Sequence, residues 1–335
     1  MNIDIYAFIP MPSNEWFTKK TYNRERLYNI MDQLCEMSGK LVYKYVEEEI
    51  CFVSVILLEG KKFKKEYNYI YKFKKIKERN CELLKFSISF EEDKIKCGNY
   101  ISEIAVMYFS KLLYDIFLIA NICLIGSIDY CDSVIVVNNE YCESKLERID
   151  VWSLQRAYDF ILKYNWPNNI NLKFLDGWNW HEKHSSYFDG FSINKTSRAF
   201  NALSRIFTFD QFGQDHSHDL LWAMIGIEAL LTNGKGGILE QVREKLIILF
   251  NISTPSIKKI INRMYNYRSR FVHGDIDFQN FGYFFDAAER FIKYTDEQME
   301  TVNISIAILI CILQYIIKND LSGIKFEMVI REDNI

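Results

Sequence analysis

Proline and glycine are scarce in this sequence, which contains 4 prolines and 14 glycines among 335 residues. Average proteins contain about 5% proline and about 7% glycine, and both residues interrupt helices and strands. We therefore expect long, uninterrupted elements and no flexible linker. The hydrophobic fraction of 49% and the charged fraction of 25% are ordinary for a globular chain. They exclude a disordered protein, a coiled coil and a fibrous repeat.

The chain also lacks an excess of charge, because 41 basic residues stand against 44 acidic ones and the net charge is −3. Proteins that coat nucleic acid are usually basic overall, so any such contact has to come from local patches. One patch, Lys61–Asn80, holds nine basic and two acidic residues interleaved with aromatic ones. It suits either a surface for single-stranded nucleic acid or an amphipathic strand, and we favour the strand.

None of the eight cysteines forms a CxxC pair, and the N-terminal sequence lacks the pattern of a secretory signal. Free thiols without a signal predict a cytoplasmic protein. Two apolar stretches, Ile104–Ile125 and Val302–Ile317, are too polar or too short for a membrane span, and we interpret both as buried helices. His181 and His184 have HxxH spacing but no recognisable set of zinc ligands around them. We therefore expect no membrane, no metal and no cofactor.

Strand and helix patterns alternate in the first 150 residues, whereas only helix patterns follow residue 195. The predicted strands are Ile3–Ile9, Lys40–Val46, Cys51–Leu58, Tyr67–Phe73, Leu84–Phe90 and Val134–Val137. The predicted helices are Tyr22–Met37, Tyr100–Cys123, Val151–Lys163, Thr196–Phe207, Asp219–Leu231, Leu239–Phe250, Ser256–Val272, Tyr283–Tyr294 and Asp296–Lys318. Asn165–Asn194 contains glycine, proline and several asparagines and predicts irregular structure. The sequence thus predicts an α+β fold, with a mixed α/β domain over residues 1–190 and an all-α bundle over residues 191–335.

Two charged residues fall on the apolar faces of predicted helices. At about 100° per residue, Arg268 lies in the middle of the face that Ile261 and Met264 help to form. Glu228 projects from the apolar face of Asp219–Leu231 in the same way. Because an unpaired buried charge is costly, we infer that the two residues face a common interior or interface and are candidates for an ion pair. The pair would belong either to a functional site or only to helix packing.

The other side of the Arg268 helix carries a basic stripe formed by Lys259, Arg263 and Arg270. From Ile252 to Gly274 there are five basic residues and no acidic one. The stripe suits either an RNA-binding surface or an ordinary solvated face, and both interpretations stay open.

Arg268 begins an R-x4-H pattern that ends at His273 and is followed by Gly274, a residue typical of helix ends. Upstream stand the sequences LWAMIGIEALL, which includes Glu228, and RAFNAL, which begins at Arg198. Together these segments resemble the HEPN superfamily, and within it the ApeA-like branch of prokaryotic defence proteins. The resemblance extends over roughly Lys195–Lys318.

The resemblance implies a HEPN-like helical bundle that forms a homodimer and cleaves RNA without a metal. It implies Arg268 and His273 as catalytic residues and the polar Ser269 beside them, and we add Glu228 and Asp275 as supporting residues. Asp275 stands where one HEPN subtype has a tyrosine, so regulation through such a tyrosine is not expected. The implied protein is an endoribonuclease effector of anti-phage defence, with RNA as its substrate and a phage-derived trigger. The alternative is a non-catalytic binding or dimerisation module, because many HEPN domains have lost catalysis.

Arginine and histidine suit RNA cleavage, because RNA supplies its own nucleophile, the 2′-OH. Histidine can move a proton near neutral pH, and arginine stabilises charge on the phosphoryl oxygens. Five helical residues advance about 7.5 Å and about 140°. Arg268 and His273 therefore diverge unless the helix ends between them, and Gly274 favours such an end. Since one histidine cannot easily serve both ends of the reaction, we predict a composite site in which two protomers bring their motifs together.

Overall fold

A computed structural model shows an α+β protein, with six strands and nine α-helices among the residues that it describes. These residues are 2–11, 24–39, 41–45, 48–58, 81–90, 101–130, 132–137, 140–142, 149, 151–188, 190–207, 217–234, 236–251, 255–276 and 289–327. The predicted strand Tyr67–Phe73 and the basic patch Lys61–Asn80 lie outside the described residues. The predicted α+β class is confirmed.

The strands form one antiparallel sheet, in the order β2-β3-β4-β1-β5-β6. Their bounds are β1 Asn2–Pro10, β2 Leu41–Tyr45, β3 Glu48–Leu58, β4 Cys81–Phe90, β5 Asp132–Val137 and β6 Glu140–Cys142. Alternate residues of β1 (Ile3, Ile5, Ala7 and Ile9) enter the main hydrophobic core, as the two-residue period of a strand requires. The five predicted strands within the described residues are confirmed. The sequence missed β6, which is too short to show alternation.

Three helices of the first half match their predictions: α1 Arg24–Glu36, α2 Ile101–Cys123 and α3 Trp152–Tyr164. Helix α2 packs on the sheet through Phe117, whose ring centroid lies 6.4 Å from that of Phe86 in β4. The same ring meets Tyr130 edge-on at 4.8 Å. Aromatic contacts of this kind add to the energy of area burial, so Phe117 joins the sheet to the helices.

The prediction of irregular structure over Asn165–Asn194 holds for residues 165–173 and 190–194 but is wrong for the segment between them. Residues Phe174–Lys183 form helix α4, and a short 3₁₀ turn follows at Ser185–Phe188. Phe174 and Trp178 are buried in α4, and a Cβ atom on Gly177 would stand 2.4 Å from the sulfur of Cys123 in α2. Glycine is therefore present for close helix packing, and tertiary contacts override its poor helix propensity.

The second half contains α5 Lys195–Ile206, α6 Ser217–Leu231, α7 Ile238–Phe250, α8 Pro255–His273 and α9 Glu289–Lys318. A capping box opens α5, since the Asn194 side chain accepts from the backbone N–H of Ser197 and the Ser197 hydroxyl accepts in return from that of Asn194. Pro255 opens α8, because a proline suits the first turn of a helix. The predicted break between Tyr283–Tyr294 and Asp296–Lys318 is wrong, because α9 runs continuously from Glu289 and residues 283–288 lie outside the described set.

Helix α9 is the central helix of the fold and packs against α2, α3, α4, α6 and α8. Its segment Asp296–Lys318 is long and apolar enough to span a membrane, but 83% of the most apolar window is buried inside the protein, as in a core helix. The Gln314 side chain donates to the carbonyl of Ile122 at 2.7 Å and accepts from the backbone N–H of Ile170 at 3.0 Å. The predicted division near residue 190 stays a prediction, and one hydrophobic core extends across that position.

Replacing Gly226 by alanine tests the close packing of α6 on α9. A Cβ atom there would stand 2.8 and 2.9 Å from the two terminal methyl groups of the buried Leu309. We expect Gly226→Ala to lower the free energy of unfolding by about 1–3 kcal/mol, measured by urea denaturation. Gly236→Ala is the control, because no atom of the described residues lies within 4 Å of a Cβ atom at that position. Equal stability of the two variants would contradict this packing.

Candidate functional site

The predicted contact between Glu228 and Arg268 is present and joins α6 to α8. The Arg268 Nη2 atom lies 3.5 Å from Glu228 Oε1, and the two side chains are 31% and 19% exposed, respectively. Within the part of the chain that the structure describes, neither Glu228 Oε1 nor Arg268 Nε makes a hydrogen bond. The two residues therefore form an ion pair in which some polar atoms can still accept or donate a hydrogen bond. Buried polar atoms of this kind are candidates for contact with a ligand or a partner.

Burial controls the electrostatics of this ion pair. It raises the pKa of Glu228 above its ordinary value, and the nearby Arg268 opposes that rise without cancelling it. Tyr265, one helical turn before Arg268, is buried, and its hydroxyl makes no hydrogen bond to any described residue. Burial and the Glu228 carboxylate both raise the pKa of Tyr265. The Glu228–Arg268 pair is thus poorly solvated. Burial disfavours the charged form of Glu228 more strongly than Arg268 favours it.

His273 is the last residue of α8, and its side chain is exposed. Gly274 follows with a left-handed φ of 76°. Its N–H donates to the carbonyl of Phe271 at 3.4 Å, and the Asp275 N–H donates to that of Arg270 at 2.8 Å. This is the Schellman arrangement of a helix C-terminus. The prediction that Gly274 closes the helix is confirmed.

The expectation that the helix ends between Arg268 and His273 is wrong, because α8 is helical through both residues. On a continuous helix their side chains are separated by about 140° around the axis and about 7.5 Å along it. Arg268 points toward α6 and Glu228, whereas His273 points to solvent. Within one chain, the two halves of the motif therefore face different ways.

An exposed arc connects the two residues around the C-terminal end of α8. Val272 lies about 40° from Arg268 and about 100° from His273 around the helix axis, and 50% of its surface is exposed. Ser269 and Asp275 are also exposed. We call Arg268, Ser269, Val272 and His273 the motif arc. A surface that covered Val272 would contact the neighbourhoods of both Arg268 and His273.

The predicted basic stripe is partly neutralised, which the sequence analysis did not anticipate. Arg263 pairs with Glu300 at 2.6 Å, and Arg270 lies 3.8 Å from Glu297, so both carboxylates come from α9. Lys259 is exposed and makes no ion pair within the described residues. Glu297 and Glu300 are one turn apart on α9, and this spacing could have identified them as two carboxylates on the same face of a helix. Their partner helix could not have been identified without the fold.

The sequence analysis also missed a buried cluster between α2 and α4. Lys111 donates to Asp115, and His181 Nε2 lies 3.6 Å from Asp115 Oδ2. Burial acts to raise the pKa of Asp115, but Lys111 and His181 act in the opposite direction and outweigh it. The pKa of the carboxyl is therefore below its ordinary value. Lys111 and Asp115 stood out as charges in an apolar stretch, and this was the available signal. Within the described residues, no group of three or more His, Cys, Asp or Glu side chains could hold a metal.

Comparisons of this chain with protein-family models, with curated proteins and with solved structures found no match. The candidate site is therefore interpreted from its geometry and from the sequence motif.

The pH dependence of stability tests the Glu228–Arg268 pair. Because folding raises the pKa of Glu228, the folded protein favours the protonated carboxyl, and stability falls as pH rises through that pKa. Arg268→Ala removes the cation that opposes burial, so the pKa of Glu228 should rise further. We expect urea denaturation to show that Arg268→Ala lowers the free energy of unfolding, relative to the wild type, by roughly 1 kcal/mol at about pH 7 and by less at about pH 4.

The control for this measurement is a protein in which residue 228 cannot ionise. In a Glu228→Gln background, Arg268→Ala should lower the free energy of unfolding by the same amount at both pH values. A pH-independent loss in the wild-type background would show that the two residues are not coupled.

Proposed function

We propose that the chain is a metal-independent endoribonuclease of the HEPN type that cleaves RNA at a site formed by two protomers. The observation that supports this proposal is the motif arc, because it exposes His273 and the edge of Arg268 on either side of the apolar Val272. The resemblance of the motif to prokaryotic defence proteins suggests a cytoplasmic anti-phage effector. In this proposal the N-terminal part of the chain responds to a phage-derived trigger.

The proposed chemistry uses the side chains of the arc directly. His273 takes the proton from the ribose 2′-OH, which attacks the adjacent phosphorus. Arg268 stabilises the charge that develops on the phosphoryl oxygens. The 5′-oxygen leaves and takes up a proton from the second His273, and the product carries a 2′,3′-cyclic phosphate. In this proposal Ser269 hydrogen-bonds the phosphate, and Glu228 positions Arg268.

Two protomers are needed in this proposal because Arg268 and His273 of one chain face different ways. A homodimer that packs Val272 against its counterpart would bring both motif arcs to one interface. Ile225 supports this arrangement, since it lies one turn before Glu228 on α6 and 43% of its surface is exposed. In this proposal Val272 and Ile225 contribute to one apolar patch with a polar rim, which is typical of protein interfaces.

A non-catalytic dimerisation module is the second candidate, and the ion pair is the observation that favours it. If Arg268 serves only to neutralise Glu228, its guanidinium is occupied and His273 is an ordinary helix-terminal residue. Charges inside a helical bundle often have such a packing role. In that case, neither residue affects RNA.

Substitution of the two motif residues distinguishes these candidates. We expect His273→Ala and Arg268→Lys to lower RNA cleavage by at least about 100-fold, because each removes a group that acts in the transition state. Sequencing of RNA ends after expression should find 2′,3′-cyclic phosphates with the wild type and the control variant and not with the two motif variants. Arg243→Gln is the matched control, since Arg243 forms a similar partly exposed ion pair with Glu240 on α7. Equally intact RNA with all four proteins, under conditions that activate the wild type, would exclude the nuclease.

Mixing two inactive variants tests whether the site is composite. A dimer of one Arg268→Ala chain and one His273→Ala chain retains one arginine and one histidine. We expect such mixed dimers, formed by co-expression, to recover a small part of the cleavage that each variant has lost, because the remaining His273 still takes the 2′-OH proton while water protonates the leaving 5′-oxygen more slowly than the second His273 would. A site contained within one chain would recover nothing.

A further inference from the structure

A cavity of about 620 Å³ opens beside the motif helix, between α3, α8 and α9. Its polar lining residues are Tyr164, Lys259, Asn262, Arg263, Asn266 and Glu300. Ligand cavities commonly fall between about 300 and 1,000 Å³, so one nucleotide would fit. Asn266 and His273 are seven residues apart on α8, which places them about 20° apart around the helix and about 10 Å apart along it. The cavity therefore lies on the same side of α8 as His273.

The charges around this cavity favour an anionic ligand. Lys259 and Arg263 line it, and the Lys163 ammonium group lies 4.8 Å from the centre of the Tyr164 ring. Glu300 is the opposing carboxylate and pairs with Arg263 at 2.6 Å, where the two side chains are 27% and 45% exposed, respectively. Exposed ion pairs of this kind contribute little to stability. A phosphate can therefore replace Glu300 as the partner of Arg263.

The hydrogen-bonding groups of the cavity favour a particular kind of base. The Tyr164 hydroxyl donates to Glu300 Oε1 at 2.8 Å, which holds the carboxylate in place as an acceptor even when Arg263 turns to a phosphate. Asn262 and Asn266 line the cavity and are exposed, so their amides are accessible to a ligand. An asparagine amide matches the adjacent amino donor and ring-nitrogen acceptor of adenine. Uracil has a single donor, N3–H, on this edge, so it can satisfy either an asparagine amide or the Glu300 carboxylate but not both, whereas the two hydrogens of the adenine amino group can serve each of them.

We propose that this cavity is a base-recognition subsite that takes one nucleotide of the RNA strand and prefers adenine. Asn262, Asn266 and Glu300 contact the base, and Lys259 and Arg263 contact the neighbouring phosphates. The strand then follows the exposed side of α8 toward His273. This inference rests on the proposed function in taking RNA as the ligand, but it does not require that the RNA be cut.

The test measures binding of single-stranded RNA to the full-length His273→Ala protein, which leaves the RNA uncut. Fluorescence anisotropy compares a labelled uridine dodecamer with a dodecamer that alternates uridine and adenosine. We expect the alternating RNA to bind on the order of tenfold more tightly. Adding Asn266→Ala should reduce this preference to about twofold or less while the affinity for the uridine RNA stays unchanged.

Two further variants separate base contacts from phosphate contacts. Lys259→Gln should weaken the binding of both RNAs equally and reduce the magnitude of the slope of log affinity against log salt concentration by about 1. Lys183 forms an exposed ion pair with Asp320 away from the cavity lining, so Lys183→Gln should leave the affinity for both RNAs unchanged. Circular dichroism and urea unfolding confirm that each variant is folded.

Equal affinity for the two RNAs, or a preference that Asn262→Ala and Asn266→Ala both leave intact, would overturn the inference. Adenosine monophosphate that binds in an Asn266-dependent manner, and that neither RNA displaces, would assign the cavity to a free nucleotide and also overturn it. Intact RNA in the presence of wild-type protein, together with a retained preference for adenine, would count against the proposed cleavage alone.

Discussion

Helix α9 is buried over most of its second half, and both helices that contain candidate site residues pack against it. Leu309 meets Gly226 of α6, so the position of Glu228 depends on this close approach. Glu297 and Glu300, nearer the start of α9, pair with arginines of α8. Because buried apolar helices are held by dense packing that resists small displacements, α9 determines where α6 and α8 stand relative to each other.

This constraint gives the two sides of α8 different environments. Arg268 faces α6, where burial disfavours the charged form of Glu228 and where polar atoms of the pair have no hydrogen bond to a described residue. The opposite side faces solvent and the carboxylates of α9, and it contains His273 and the cavity. A chemical role for both Arg268 and His273 therefore requires a surface that spans the exposed Val272, and a second copy of the chain can supply such a surface.

Local patterns predicted most helices and strands, and they placed Glu228 and Arg268 on apolar faces that meet. The helical period is sufficient for such an inference, because a charge on an apolar face needs a partner. The same reasoning failed for α4, where glycine and asparagine signalled a loop but Phe174 and Trp178 are buried in a helix. It also failed for the basic stripe, because the partner carboxylates belong to a helix distant in sequence. Contacts of this kind depend on the fold, and local periodicity does not report them.

The central claim is that activity belongs to the dimer, and the concentration dependence of cleavage tests it most directly. Sedimentation velocity and initial cleavage rates would be measured on the same protein samples, across the range in which monomer converts to dimer. The account predicts that cleavage per chain rises in parallel with the dimer fraction and that Val272→Asp moves both curves to higher concentration. Full cleavage per chain in samples that sediment as monomer would contradict it.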